Sequence, residues 1–212
     1  MIRGMPLWLL PQRAAWLPDQ ATLLIADAHL GKAVSFRRMG VPVPQGTTTE
    51  TLNRLTQVLA MTQARHIVFL GDLLHSARAR APDTWAAVAR WRQQHHALAL
   101  TLVRGNHDQH AGDPPPEWGV QVMDEPLRLG GLALSHHPEP LEAAYVLAGH
   151  LHPCAVMGGS AHDRLRLPCF HVGPDVAVLP AFGAFTGMHV MRAGPGERIY
   201  VIADDEVVAL PG

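Results

Sequence analysis

At 212 residues, with 48% hydrophobic and 17% charged side chains, the chain has the balance of a folded protein and not of a disordered one. The length suits one domain spanning residues 1–212, since about 150 residues already bury most of their surface on folding. A net charge of -1 excludes a global basic field for nucleic acid, which would have to be held by a local patch.

In chain order, the first apolar run surrounds Leu7, Trp8 and Leu9, but Pro6 and Pro11 interrupt it and make a poor signal peptide. No later run is long enough to span a membrane, so a soluble cytoplasmic protein is expected. Thr22 to Ala26 is strand-like and stops at Asp27. Thr47 and Glu50 have capping-box spacing and open a helix with Leu52, Leu55, Val58 and Leu59 on one face. Ile67 to Leu70 form a second strand-like run that ends at Gly71-Asp72. Asp83 or Thr84 is placed to cap a second helix, bearing Trp85, Val88 and Trp91. Leu98 to Val103 form a third strand, followed by Gly105-Asn106-His107-Asp108.

Strand, helix, strand, helix, strand implies right-handed crossovers and a sheet that begins parallel. After Pro114-Pro115-Pro116 the pattern changes to short strands at Gln121 to Met123, Leu132 to Ser135, Tyr145 to Ala148, Val176 to Leu179, Ile199 to Ala203 and Val207 to Leu210. Gly and Pro separate them, which favours a second sheet of more antiparallel type. The expected fold class is α/β, with two packed sheets and helices outside. Cys154 and Cys169 are too few for a disulfide framework and are expected reduced in the core.

The outlier in the composition is 14 histidines against 2 tyrosines. His95, His96, His110 and His162 read as surface residues. That reading does not explain the histidines placed just beyond strand-like runs, and neutral imidazole is the commonest metal ligand. Five motifs stand at such ends: Asp27-Ala28-His29, Gly71-Asp72, Gly105-Asn106-His107-Asp108, Ser135-His136-His137 and Gly149-His150-Leu151-His152. The crevice beyond the carboxyl ends of strands is where ligands bind in open α/β sheets. In extended chain, residues i and i+2 project to one side, so Asp27 with His29 and His150 with His152 would each present a pair. Glycines 71, 105 and 149 would let the backbone turn beside a crowded site.

This ordered set resembles the calcineurin-like metallophosphoesterase family, whose pattern is D-x-H, G-D, G-N-H-D/E, H and G-H-x-H. The resemblance implies a two-sheet β-sandwich flanked by helices, in a four-layer α/β/β/α arrangement. It implies two divalent metal ions, one held by Asp27, His29 and His152, the other by Asn106, His136 and His150, with Asp72 bridging. His137 stands beside His136, and the family register favours His136 as the ligand. The mixed donor set suits Mn, Fe or Zn better than Mg alone, and the resemblance favours manganese. Two such cations acidify a bridging water for in-line attack on phosphorus. The resemblance implies that His107 faces the substrate as the catalytic residue, stabilising charge or, as general acid, protonating the leaving oxygen, with Asp108 helping to orient it.

Further stretches resemble a bacterial branch, the ligase-associated DNA damage response endonucleases. They are Asp27 to Lys32, Ser35 to Arg38, Gly40 to Pro44, Arg166 to Phe170 and Leu179 to Gly187. That resemblance implies a phosphodiesterase or endonuclease acting on DNA in repair, working with a DNA ligase, a helicase and an exonuclease. Lys32, Arg37 and Arg38 would then reach a phosphate backbone, Arg37 and Arg38 as substrate-binding residues, and Arg78 and Arg80 would line the same mouth. Phe182 and Phe185 read as core in preference to base stacking. A phosphomonoesterase or small-molecule phosphodiesterase on the same scaffold is the alternative. A noncatalytic scaffold subunit would be expected to have lost ligands that this chain retains.

Overall fold

The computed structural model describes residues 1–43, 46–158 and 164–211; Pro44 and His162 lie outside them. The apolar run at the N-terminus is not idle. It forms β1 (Trp8–Leu10), which turns back into β2 (Ala14–Leu17) and lays that strand against β3 (Thr22–Ala26). After β3 come α1 (Lys32–Arg38), α2 (Thr47–Thr62), β4 (His66–Leu70), α3 (Pro82–Gln94), β5 (Ala99–Val103), α4 (Asn106–Ala111) and β6 (Val120–Met123). The first sheet has the order β1-β2-β3-β4-β5-β6, with β3 to β6 parallel. The strand at 120–123 therefore closes the first sheet, and does not open the second as its place after the prolines suggested.

The second half supplies β7 (Leu127–Leu129), β8 (Leu132–Leu134), β9 (Tyr145–Ala148), β10 (Pro153–Gly158), β11 (Arg164–Val172), β12 (Val176–Val178), β13 (His189–Val190), β14 (Arg198–Ala203) and β15 (Glu206–Ala209). They make one mixed sheet, in which β8, β9 and β12 run parallel and β10, β11, β14 and β15 pair antiparallel. Pro153 and Pro168 hide β10 and β11 from a propensity reading, since proline demotes a run.

Alternation along the parallel strands builds two cores at once. Leu23, Ile25, Ile67, Phe69, Leu100 and Leu102 face outward and meet Leu52, Leu55, Val58, Val88 and Trp91 of α2 and α3. Leu24, Ala26, Val68, Leu70 and Val103 face inward and meet Leu134, Leu147, Phe170 and Leu179 of the second sheet. The two sheets with flanking helices follow from this two-sided burial. On its outer face the second sheet buries Ala155, Cys169, Ile199 and Val201, with Met191 packed against them. Both cysteines are free and buried.

Two helix starts differ from expectation. Thr47 is the first residue of α2 and does not cap it; Gly46 precedes it in a left-handed conformation, and no side chain caps the end. Pro82 opens α3, which puts Asp83 in the first turn and Thr84 inside the helix. Proline is suited to that first position because its missing N–H has no partner there anyway.

Candidate metal centre

The carboxyl ends of β3, β4 and β5 place Asp27, Asp72 and Asn106 side by side, and the loops after β8 and β9 bring His136 and His150 over them. Asp27, His29, Asp72 and His136 are buried, while Asn106, His107 and His152 are partly exposed and His150 is exposed. The site is thus a crevice, buried on the sheet side and open on the other.

Two clusters share one carboxylate. His29 Nε2 lies 3.2 Å from His152 Nε2, which is 3.4 Å from Asp27 Oδ1. His136 Nε2 lies 2.8 Å from Asn106 Oδ1 and 3.0 Å from His150 Nδ1. Between them, Asp72 turns Oδ2 to His29 Nε2 at 3.7 Å and Oδ1 to His136 Nε2 at 3.6 Å. These are the residues the sequence singled out as ligands, and all seven are brought together.

Hydrogen bonds decide which imidazole nitrogen faces the centre. His136 Nδ1 donates to Leu70 O at 3.1 Å, His152 Nδ1 to Gly187 O at 3.2 Å and His107 Nδ1 to His75 O at 2.7 Å. A carbonyl accepts only, so each ring carries a proton on Nδ1; His136 and His152 thereby present Nε2 to the centre as a lone pair, and His107 leaves Nε2 for the substrate side. His137 is different. Its Nδ1 donates to Glu125 Oε1 at 2.6 Å, and the ring stands at the edge of the cluster beside His150.

The backbone does not reach the site by extension. Asp27, His29, Asp72, His150 and His152 all have positive φ, between 44° and 72°. Left-handed turns, and not the i, i+2 projection of a strand, converge the paired ligands. Such conformations cost on the order of 1–3 kcal/mol each and persist where surrounding structure imposes them. Of the three glycines, only Gly71 has positive φ; Gly105 and Gly149 are required by closeness. A Cβ on Gly105 would meet Asp72 Oδ1 at 2.4 Å, and one on Gly149 would meet Asp27 Oδ2 at 2.6 Å. A Cβ on Gly71 would meet His136 Nδ1 at 2.1 Å, the atom bonded to Leu70 O. Gly71→Ala is therefore expected to destabilise the fold by about 2–4 kcal/mol and to weaken metal uptake, as chemical denaturation and metal titration would show.

The donor set fits cations. Asp27 Oδ1 and His29 Nδ1 are buried with no hydrogen-bond partner, and an orphaned buried carboxylate oxygen is costly unless a positive charge meets it. Burial, and then the charge on Asp27, raises the Asp72 carboxyl. Burial, and then Lys32, pushes the His29 imidazole well down, which keeps its lone pair free. Two nitrogens each about 2.1 Å from a shared ion stand about 3.0–3.4 Å apart, the spacing found here between His29 and His152 and between His136 and His150.

The substrate side holds several surprises. His75 stacks on His107 with ring centroids 4.8 Å apart, and burial followed by Lys32 pushes its imidazole down to about 4. Phe36 packs 5.9 Å from His75, and Phe185 packs edge-on 5.7 Å from Phe36. Phe182 is core, but Phe185 is half-buried in this aromatic wall. Asp108 accepts N–H bonds from Gly105 and Leu74, so it pins two loops while the His75 carbonyl orients His107. Among the basic residues, Lys32 lies close enough to feel both Asp27 and Asp72. Arg37 instead lines a cavity at the starts of α2 and α3, and exposed Arg38 donates to Arg78 O. Arg80 donates to Ala111 O and Asp113 O, both at 3.0 Å.

Glu125 anchors the loop that carries His136. Its Oε2 accepts from Ser135 Oγ at 2.7 Å and from the His136 and His137 N–H groups at 2.8 and 3.0 Å. Burial would raise this carboxyl, but the bonds from His137, Ser135 and His136 hold it down to about 2 against an ordinary 4.5. A depressed carboxyl contributes stability above its unfolded pKa and loses it as pH falls toward the folded one. Glu125→Gln should thus be less stable by about 1–3 kcal/mol at neutral pH. Denaturation curves should show that deficit shrinking between pH 4.5 and 2.

Two sheets presenting carboxylates and imidazoles at their strand ends define a metal-dependent phosphoric ester hydrolase. No protein-family profile matches the chain, and no curated protein sequence matches it. Among solved structures, it is similar to the crystal structure of Pseudomonas putida nuclease MPE, with a TM-score of 0.88 and 44% identity over 99% of this chain and 97% of that one. The chain belongs to the metallophosphoesterase family of that nuclease. A fainter likeness, with a TM-score of 0.45 and 15% identity over 89% of this chain and 96% of the other, is to Yfce, a phosphoesterase from E. coli. No helix among the described residues is long and apolar enough to cross a membrane.

Proposed function

We propose that this protein is a phosphodiesterase of the DNA endonuclease type, serving bacterial DNA repair in the cytoplasm with two divalent ions, manganese in first place and Fe or Zn as substitutes. The observation that carries the reading is Asp72, whose two oxygens face one imidazole of each cluster. Asp27, His29 and His152 would hold one ion, and Asn106, His136 and His150 the other, with Asp72 between. Bound there, the ions would supply Lewis acidity toward a phosphoryl group and toward water.

The chain's own residues do the rest. His107, held by the His75 carbonyl, turns Nε2 into the crevice, 3.9 Å from Asp72 Oδ2, where a proton can be passed to a leaving oxygen. Lys32 supplies a fixed positive charge near the carboxylates. Phe36 and Phe185 offer an aromatic wall at the mouth, suited to stacking a base. The kinship with a protein described as a nuclease supports a DNA substrate. A DNA ligase, a helicase and an exonuclease are the partners proposed for it.

The test is turnover by metal-stripped protein given Mn²⁺, on bis(p-nitrophenyl) phosphate, p-nitrophenyl phosphate, and single-stranded and duplex DNA. Diester and DNA cleavage support the reading. Monoester turnover alone would replace it with a phosphatase.

A further inference from the structure

A second cluster of charge lies one strand away from the metal centre. Arg13, Arg54 and Arg166 line a cavity of about 420 Å³ together with Asp204 and Asp205. The guanidinium of Arg13 is half-buried and makes no hydrogen bond or ion pair among the described residues. Arg54 pairs with Glu50 at 3.3 Å, and no ion pair joins Asp204 or Asp205 to any of the three arginines. Burial, and then Arg54, lowers the Arg13 pKa, and the attraction of Glu50 offsets only part of this. Half-buried cations in that condition favour an anion.

Its position points to which anion. The hairpin register sets Ala15 opposite Leu24 and Trp16 opposite Leu23. Arg13 closes the turn just before β2, and because β2 runs antiparallel to β3 it stands toward the carboxyl end of β3, where Ala26 precedes Asp27. Arg54 arrives at the same place from α2: it donates to Phe182 O, and Phe182 N–H donates to Ala26 O at 2.8 Å. Arg13, before the neighbouring strand, and Arg54, through Phe182, thus bring the cavity toward the carboxyl end of β3, one or two strand spacings, about 5–10 Å, across the sheet. That is the scale of one nucleotide step along an extended strand.

We infer that the Arg13, Arg54 and Arg166 cavity is an anion site that takes a phosphodiester of the substrate strand next to the scissile one. The inference rests on the nuclease reading for its occupant, but the anion site can be tested without it. Arg13→Asn is the variant of choice, because Arg13 has φ of 63° and asparagine tolerates that left-handed region. The charge is then removed without penalising the backbone, and thermal unfolding reports that the fold is kept. Arg13→Lys keeps the charge.

Inorganic phosphate would first be titrated calorimetrically into the full chain in EDTA, which silences the metal centre. Binding is expected in the parent, at least fivefold weaker in Arg13→Asn and Arg166→Ala, and restored in part by Arg13→Lys. Equal binding in all of them, or none in the parent, overturns the site. With Mn²⁺, kcat/KM of Arg13→Asn should then fall about fivefold to tenfold more on a single-stranded oligonucleotide than on bis(p-nitrophenyl) phosphate. Its salt dependence should also be shallower by about 0.7 in the log–log slope, the share of one phosphate contact. Parallel losses on both substrates would overturn the strand as occupant and leave free phosphate. A parent that binds phosphate but cleaves no DNA would defeat the nuclease reading and the strand as occupant, while the anion site stands.

Discussion

Asp72→Asn is expected to lower metal-dependent kcat/KM by at least about 10³-fold, the upper range for losing one preorganised electrostatic group. The reason is geometric. One oxygen of Asp72 faces His29 and the other faces His136, and Asp72 Oδ1 also accepts the His107 N–H at 2.9 Å. An amide cannot offer two anionic oxygens, so both clusters lose their shared member. The same substitution should move stability the opposite way. Burial and the nearby Asp27 carboxylate disfavour the charge on Asp72, and neutralising the residue relieves both. Without metal, the variant should melt at a higher temperature than the parent, while the rise in melting temperature on adding Mn²⁺ should largely vanish. A metal-free variant that melts lower than the parent would show that Asp72 is held by more than its metal role.

The second large effect is His107→Ala, expected to reduce turnover by about 10²–10⁴-fold on diesters with poor leaving groups. On nitrophenyl esters, whose leaving oxygen needs no proton, the loss should be slight. The split follows from placement: His107 is half-buried in the crevice, its Nδ1 is committed to the His75 carbonyl and its Nε2 is turned into the crevice. A series of leaving groups of graded pKa measures it. A shallow dependence in the parent that steepens in the variant marks proton donation, whereas a loss independent of leaving group marks simple loss of packing. His75→Ala provides a control on orientation, since the main-chain acceptor survives while the stacked ring is removed.

Much of the centre was legible in the sequence because ligand motifs stand where apolar runs stop, and strand ends in a parallel sheet share one edge. Thr22 to Ala26 was bounded correctly from its apolar run alone. The helical face of Leu52, Leu55, Val58 and Leu59 was equally legible, since local periodicity reports burial on one side. What escaped depends on contacts between distant residues. Glu125 binds a loop 10 to 12 positions away, and His75 acts through its carbonyl and its ring plane, neither of which any spacing announces. Asp108 was given the task of orienting His107, but its carboxylate is spent on Leu74 and Gly105. The prolines at 114–116 looked like a boundary between sheets, yet they lie within a crossover whose far strand pairs with β5. Arg37 and Arg38 share a helix with Lys32, but a helix turns by 100° per residue, and their heads point to other neighbours.

The ligands come from both halves of the sandwich. Asp27, His29, Asp72 and Asn106 follow strands of the first sheet, and His136, His150 and His152 follow strands of the second. Any ion held among them ties the two sheets together at one end, as a cross-link between Asp27 and His152 spanning more than half the chain. Closing so long a loop removes much freedom from the unfolded ensemble, as a disulfide of that span would. In a protein whose two cysteines are free and buried, ions bound there would also be the clasp of the fold, and the supply of metal would set its lifetime along with its activity.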